Sequence, residues 1–358
     1  AVTWASAVTD PLRVVDYRVE AVSVSGQSLG DVPVDGVRVE YDGDRTEAWG
    51  ASFALSDPSM VPLTSADTLD GRSATRLRVW WRVLDGGTWL DVPVGTYCVT
   101  DPRIKDSGSL SITVDGLDPL AVARTGGYGA AVIPVGGMTV SDALATLFAA
   151  VAPGFPVSIE PTAVTLPAVM DLWDRDPADD WREIAAAAGM VVRTDRWGVI
   201  TAARQPTPET VAADWQEGPS CPVTDLDVEI RTSTIPRRVI VVSSSPDVSP
   251  PVVGTWDNPD ADAQSLVREM RIQSPTVTTA SAAASLAALE GARWSRPQSL
   301  VSVTVPARPD LDYGSLVLLR RAQAAVSGPY RVAGWTLTLA GRDRAPEPMS
   351  VRMMARQW

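Results

Sequence analysis

The chain has 358 residues, a net charge of −12 and no histidine. The acidic balance argues against a grip on nucleic acid or on an anionic membrane, because both depend on clusters of positive charge. The missing histidine excludes Ser-His-Asp and Cys-His nucleophiles and every histidine-ligated metal site. No apolar run reaches the length of a transmembrane helix, so we expect no membrane-anchoring segment.

Residues 16–125 predict a series of short strands. Segments such as YRVEAVSV, VDGVRVEYD and RLRVWWRVLD are rich in β-branched and aromatic residues, and several alternate with a period of two. Turn residues in DGDR, DGG and KDSGS separate them. We therefore assign residues 1–125 to an N-terminal β domain, a barrel or a sandwich.

The pattern changes after residue 125. TVSDALATLFAAVAPG (139–154) has apolar residues at helical spacing, with Ser141 as its expected N-cap. A second helix is predicted from about Pro177 to Ala188, and a hairpin that turns at DRWG follows it. Residues 126–206 thus form a predicted small α/β domain. We interpret its glycine-rich beginning, GGYGAAVIPVGG (126–137), as a flexible junction.

Strand patterns return in residues 207–358, which we assign to a second β domain. A loop and helix insertion is predicted at about 245–294, where a proline-rich stretch precedes an alanine-rich one. Residues 92–116 and 325–353 both run from a glycine and an aromatic residue into two strands. This likeness indicates either a duplicated β domain or a chance similarity between hairpins.

Five carboxylates between residues 174 and 183 raise the question of a metal site. An EF-hand loop that begins at Asp174 needs an oxygen ligand at its fifth position, glycine at its sixth and glutamate at its twelfth. The chain has Ala178, Asp179 and Ala185 there. The calcium-loop pattern therefore fails at all three positions.

A helix N-terminus explains the acidic cluster better. Asp176 is a strong N-cap, and Pro177 suits the first helical position. The following carboxylates favour the positive end of the helix dipole. Trp181 lies on the apolar face of this helix, and Gly189 ends it.

Other motifs give no catalytic residue, no metal site and no cofactor. The glycine-rich segment lacks the Lys-Ser/Thr ending of a P-loop, and no GxSxG occurs. A carboxylate pair of the glycosidase type stays open, since its spacing is three-dimensional. Cys98 and Cys221 are expected as two reduced thiols, although a disulfide between them is also possible.

The order of these motifs resembles the tail-tip (baseplate) hub proteins of long-tailed, siphophage-type bacteriophages, especially minor tail proteins of phages of actinobacteria. The resemblance covers residues 16–352 and rests on GLDPLA (116–121), on WREIAAAAGMVVRTDRWGVI (181–200), and on DYGSLVLL followed by GPYRVAGWTLTLAG. Use of arginine at every basic position except Lys105 agrees with a GC-rich, actinobacterial source. The signature positions are Asp176, Pro177, Trp181, Gly189, Asp195, Gly198, Gly328 and Tyr330.

The resemblance implies a β-rich α+β fold, with two tail-tube-like β-barrel or sandwich domains around the small α/β domain. It implies a non-enzymatic structural protein of the virion tail tip, assembled in the cytoplasm of the host bacterium. Such hubs form a homotrimeric ring that joins the sixfold tail tube or distal tail ring to the threefold tip or fibre proteins.

The same resemblance implies that DNA passes only transiently, through a channel whose acidic surroundings repel phosphate. Some hubs carry hydrolase extensions; the chain ends soon after its second β domain, so we expect none. The alternative from another class is a cell-wall glycan hydrolase or glycan-binding module, which thirteen tryptophans could serve by stacking on sugars.

Overall fold

A computed structural model describes the chain between residues 13 and 355. Left out of the description are residues 44, 46, 56, 63, 65–66, 68, 71–74, 101, 108–109, 130–131, 169, 173–175, 205–209, 219–220, 232–234, 245–247, 261–267, 275–276, 296–297 and 341–348. The fold is β-rich α+β and is built on one 14-stranded sheet. The predicted fold class is thereby confirmed.

The N-terminal part contributes eight strands to this sheet. They are β1 (Val14–Val22), β2 (Ser28–Val32), β3 (Gly36–Asp42), β4 (Trp49–Leu55), β5 (Arg76–Asp85), β6 (Thr88–Val99), β7 (Arg103–Asp106) and β8 (Leu110–Leu117). Their order in the sheet is β3-β4-β8-β6-β5-β1-β2, and β7 also pairs with β8, beyond the end of β6. Strand β3 alternates between buried and exposed side chains, as the period-two pattern predicted.

The middle part is the small α/β unit. Its elements are α1 (Pro119–Gly126), β9 (Ile133–Pro134), α2 (Val140–Val151), β10 (Val157–Ile159), β11 (Asp171–Leu172), α3 (Pro177–Ala187), β12 (Met190–Thr194) and β13 (Ile200–Arg204). The strands form a sheet of order β10-β13-β12 and a two-stranded β9-β11 ribbon. The three helices pack their apolar faces into a core of their own.

Three details of this unit differ from the sequence interpretation. Helix α1 was not predicted, because its eight residues are too short to show a periodic pattern. The N-cap of α2 is Thr139, whose hydroxyl accepts from the Asp142 amide, and not Ser141. The glycine-rich segment is packed where it is described: Val135 is fully buried, and its amide donates to the Met170 carbonyl.

The C-terminal part supplies the remaining elements. They are β14 (Val211–Trp215), β15 (Asp225–Arg231), β16 (Arg238–Ser243), β17 (Val253–Asp257), β18 (Glu269–Ser274), α4 (Ala280–Trp294), β19 (Gln298–Val305), β20 (Leu316–Arg321), β21 (Val326–Ala340) and β22 (Met349–Ala355). Strand β17 occupies part of the predicted proline-rich loop. It joins β16, β18 and α4 in a lobe with its own small apolar core.

The two β parts repeat one topology. The first runs β3-β4-β8-β6-β5-β1 across the sheet, and the second runs β15-β19-β22-β21-β20-β14, which are the corresponding strands in chain order. The correspondence places GTYCV (95–99) on GPYRV (328–332). One pairing differs, since β1 is antiparallel to β5 whereas β14 is parallel to β20.

The repeat extends to the register of the pairs. Strands β6 and β7 both pair with β8: Cys98 of β6 lies opposite Leu117, and Arg103 of β7 lies opposite Thr113. Between the two pairs the register shifts by one residue. Strand β21 pairs with β22 in the same way, from Arg331↔Met354 to Thr336↔Ser350 with the same offset. A chance likeness between two hairpins does not account for a matched register interruption, which favours a duplicated β domain.

Strand β21 joins the two copies. It is 15 residues long; its first part pairs with β20 and its last part pairs with β3 of the first copy. The buried apolar residues of both copies form one continuous core. The division at residues 1–125, 126–206 and 207–358 stays a prediction, and the shared strand is the place where the two β parts merge.

Both cysteines are free: Cys98 is buried and Cys221 is half-buried. Burial raises the pKa of the Cys98 thiol to about 12, so this thiol is unreactive at neutral pH. Among the helices of the described residues, none combines the length and the apolar character needed to cross a bilayer.

Candidate functional site

The acidic cluster begins helix α3, as the sequence predicted. The Asp176 side chain accepts from the Ala178 amide at 2.9 Å, and Pro177 follows it at the first helical position. A second contact was not foreseen: Arg124 of α1 forms an ion pair with Asp176 at 2.6 Å and with Glu47 at 3.0 Å. The hydrogen bond from Arg124 is the main reason that the pKa of Asp176 is lowered.

The other signature residues of α3 serve its packing. Trp181 is fully buried, with its ring centroid 5.6 Å from that of Phe148. The Tyr128 hydroxyl donates to Asp180 at 2.8 Å, which ties the glycine-rich segment to the helix. Gly189 follows the helix in the left-handed region, at φ +65°.

The DRWG turn lies where the small unit meets the first β copy. Asp195 accepts from the amides of Trp197 and Val199, both at 2.9 Å, and Gly198 has φ +77°. The Thr96 hydroxyl of β6 donates to the Arg196 carbonyl at 2.9 Å. Burial is the main cause of the raised pKa of Asp195.

Arg196, inside that turn, contacts both β copies. Its guanidinium donates to the carbonyls of Pro93 (3.2 Å) in the first copy and Leu311 (3.0 Å) in the second. It also donates to the Pro309 carbonyl and forms an ion pair with Asp312 at 2.7 Å. Its side chain is only 13% exposed. One arginine of the small unit therefore contacts both β copies.

Trp197 extends the same junction outward. Its ring packs edge-on against Trp80 at 5.4 Å between centroids, and the Arg78 guanidinium lies 5.0 Å from it. Trp197 nevertheless stays 46% exposed. An aromatic side chain stacked with an arginine and still open to solvent is typical of a protein interface.

Asp118, in GLDPLA, is buried at a second contact between the small unit and the first β copy. It caps α1 by accepting from the Leu120 amide at 2.8 Å, and it also accepts from the Trp49 amide at 3.2 Å and the Thr194 hydroxyl. The Trp49 indole donates to the Thr194 carbonyl at 2.9 Å. Burial raises the pKa of Asp118 to about 6, and these hydrogen bonds oppose the shift.

A cavity of about 460 Å³ opens beside Asp118. Its lining includes Glu40, Tyr41, Trp49, Trp335 and Arg352. The three aromatic rings pack on one another, with centroids 4.3–5.8 Å apart. They are at most 7% exposed and hence offer no open face for a sugar to stack on.

The last two signature residues belong to the repeated motif of the β copies. Gly328 has φ +139° and pairs with Leu319, and Tyr330 is 7% exposed. In the first copy a Cβ added at Gly95 would lie 2.3 Å from the Tyr97 hydroxyl. The motif thus combines a glycine with a buried tyrosine on the same strand.

The structure does not gather the signature residues into one chemical centre. Those of the small unit lie along α3, just after its end and at the DRWG turn, and Gly328 and Tyr330 lie in β21. Within the described part of the chain, no group of three or more acidic or cysteine side chains is arranged to hold a metal ion. Asp174 lies outside the described residues.

Sequence reasoning missed Asp118, Arg124 and Arg196. Asp118 had a usable signal, since an aspartate before a proline marks the start of α1 just as it marks the start of α3. The sequence around Arg124 and Arg196 gives no such signal, because the residues that they contact lie 52 to 116 positions away in the chain.

No family model matches the sequence, and no curated protein matches it. Solved structures do share the fold. The tail protein from Neisseria meningitidis MC58 has a TM-score of 0.69 and 15% identity, covering 95% of this chain and 97% of the other.

Two prophage proteins are similar over the same extent. The 43 kDa tail protein of prophage MuSo2 from Shewanella oneidensis has a TM-score of 0.64 at 14% identity, covering 95% and 98% of the two chains. Prophage tail protein gp18 from Listeria monocytogenes EGD-e has a TM-score of 0.56 at 12% identity, covering 95% of this chain and 94% of the other. Along nearly its whole length, this chain therefore has the fold of phage tail proteins.

Proposed function

We propose that the protein is a structural hub of a phage tail tip. Three copies would form a ring that joins the sixfold tail tube or distal tail ring to the threefold tip or fibre proteins and surrounds the DNA channel. The fold shared with tail proteins over 95% of the chain supports a tail role. We place the protein in the virion tail, after assembly in the host cytoplasm.

The duplicated β domain is the observation that carries the hub proposal. Each chain has two copies of one strand topology, joined edge to edge through β21 and β3. Three chains then present six copies, which is the number needed to face a sixfold tube on one side while keeping threefold symmetry on the other. A single-copy chain offers no such adaptation.

The junction around Arg196 supports a scaffold more than a catalyst. Its polar groups are engaged in holding the three parts together, and Asp118, whose raised pKa would suit an acid catalyst, is 1% exposed. A carboxyl group at that depth, already accepting three hydrogen bonds, does not reach a bound sugar. We therefore propose no second function.

Image averages of the purified assembly by electron cryomicroscopy test the hub. We expect threefold symmetry around an open pore, with neutral or acidic side chains facing inward because a channel for DNA should not bind phosphate. A compact monomer, or a pore lined mainly by arginine, contradicts the proposal. The actinobacterial host stays a prediction from the sequence resemblance and from composition.

Host peptidoglycan separates the hub from the glycan alternative. Purified protein is expected to release no soluble fragments above the buffer control. Hydrolysis that a single carboxylate substitution abolishes would favour an enzyme instead.

A further inference from the structure

The contact between the two β copies is a strand pair whose geometry is fully described. The last part of β21 lies antiparallel to β3, from Gly334↔Asp42 to Ala340↔Gly36. On its inner face Leu337 pairs with Val39, and both are fully buried. On its outer face Thr336 pairs with Glu40, and Thr338 pairs with Arg38.

The duplication identifies the corresponding edges on the far sides of the two copies. In the matched register β7 takes the place of Thr336–Leu339 in β21, because Arg103↔Thr113 corresponds to Thr336↔Ser350. Strand β15 takes the place of β3, because both are the outer neighbours of corresponding strands, β19 and β4. Two edges of the described chain are therefore left without such a partner strand. They are β7, which corresponds to the last part of β21, and β15, which corresponds to β3.

Both leftover edges expose apolar side chains that their counterparts bury. Ile104 of β7 is 52% exposed, whereas its counterpart Leu337 is fully buried. Ile230 of β15 is 65% exposed, whereas its counterpart Tyr41 is 7% exposed. Within the described residues, β7 pairs only with β8 and β15 only with β19. The exposure marks the side on which a strand is missing.

The register transferred from β21 and β3 also matches charges. It sets Arg103 opposite Glu229, Ile104 opposite Val228 and Lys105 opposite Asp227. The two ion pairs fall on the outer face, and the apolar pair falls on the inner face, beside the core on which Val228 already packs. Opposite charges directly across two strands stabilise the pair, and like charges destabilise it.

We propose that β7 of one copy pairs antiparallel with β15 of a second copy of this chain, in the register Arg103–Glu229, Ile104–Val228 and Lys105–Asp227. The contact is heterologous, so each copy uses β7 against one neighbouring copy and β15 against the other. It deepens the proposed function, because closing it into a three-membered ring rests on the hub; the pairing itself requires only a second copy.

Charge exchange on the purified full-length chain tests the register. Lys105→Glu and Asp227→Lys each place like charges across the strands, and each is expected to weaken self-association at least tenfold, measured by mass photometry over a concentration series. The double variant restores the opposite charges and is expected to recover association to within threefold of the unmodified chain. Arg182→Glu, on the exposed face of α3, makes the same charge change as a control.

Association that is insensitive to both single variants, or a double variant that is no better than either, overturns the register. A thermal melt of each variant shows that the loss reflects the edge and not the fold. The exposed positions of Lys105 and Asp227 favour variants that fold normally.

Disulfide trapping separates this pairing from the hub itself. With Ile104→Cys and Val228→Cys in one chain, mild oxidation is expected to give crosslinked multimers on a non-reducing gel, and neither single variant should do so. Crosslinks that build open filaments support the pairing and overturn the ring. Threefold rings without crosslinks overturn the pairing and leave the hub standing.

Discussion

Two Asp-Pro pairs begin α-helices in the described part of the chain, and the environments of their carboxylates are opposite. Asp176 is half-buried and paired with Arg124, which lowers its pKa. Asp118 is buried without a cation among its hydrogen-bond donors, and burial raises its pKa to about 6. The same local motif therefore loses stability as the pH falls at one helix, and loses stability as the pH rises at the other.

Asp118→Asn is expected to flatten the pH dependence of stability between pH 4 and pH 7. Because the folded-state pKa lies above the unfolded value, the native state gains stability when this carboxyl is protonated and loses it as the pH rises through 6. The loss is about 3 kcal/mol for a shift of this size.

Urea unfolding of both chains across that range measures this effect. Asp179→Asn, an exposed carboxylate of α3, controls for the removal of one negative charge. A profile for Asp118→Asn that runs parallel to that of the unmodified chain would contradict the assignment.

Gly198→Ala is expected to destabilise the protein more than Gly189→Ala. Both glycines have φ near +70°, a conformation that costs alanine about 1–2 kcal/mol. A Cβ at Gly198 also lies 3.1 Å from Thr96, whereas one at Gly189 meets nothing within 4 Å. We expect a difference of about 1–2 kcal/mol in the free energy of unfolding, measured by denaturant titration. Equal losses in the free energy of unfolding would show that the turn accommodates the alanine Cβ without strain.

At the scale of elements, the sequence pattern predicted the helices and hairpins whose signals all lie close together in the chain. Helices α2, α3 and α4 and the DRWG hairpin follow from apolar spacing, capping residues and turn residues that lie within a few positions of one another. Helix α1 was missed, since eight residues are too short for a periodic pattern, and β17 was hidden by nearby prolines. Their formation depends on tertiary contacts, such as Asp118 with Thr194 and β17 with α4.

The lobe of β16, β17, β18 and α4 is expected to be dispensable for the β domain that carries it. Its position between β15 and β19 corresponds to the short turn between β3 and β4. Replacing residues 231–298 by DGDRTEA, the sequence of residues 42–48, should leave the rest folded, because the lobe has its own core.

Amide hydrogen exchange read out on β19–β22 measures whether the shortened chain keeps its second β copy. Protection within about threefold of that in the full chain is expected. Loss of protection across β21 would show that the lobe supports the second copy.

At the scale of the molecule, the arrangement of the parts could not be predicted from pattern. The sequence indicated two related β segments, but the pairing of β21 with β3 connects positions about 300 residues apart and leaves no local trace. The candidate junction was predicted only in part: DRWG was identified as a turn, whereas the partners of Arg196 are backbone carbonyls that any sequence provides.

Arg196→Ala is expected to lower the free energy of unfolding by about 3 kcal/mol, because it removes the hydrogen bonds that a nearly buried guanidinium donates to the carbonyls of Pro93 and Leu311. Arg204→Ala, which removes an exposed pair with Glu160, should cost about 0.5 kcal/mol. Thermal and urea unfolding compare the two. Similar losses would mean that the three parts are held together elsewhere.

Strand β21 also sets the order in which a ribosome can complete this molecule. The first β copy emerges with β3 as an open edge, and that edge is covered only after residue 340 has been made. At synthesis rates of about 5–20 residues per second the exposure lasts tens of seconds. During this time Val37, Val39 and Tyr41 of the nascent first copy lack their final neighbours. This is the stage at which binding by a chaperone would matter most.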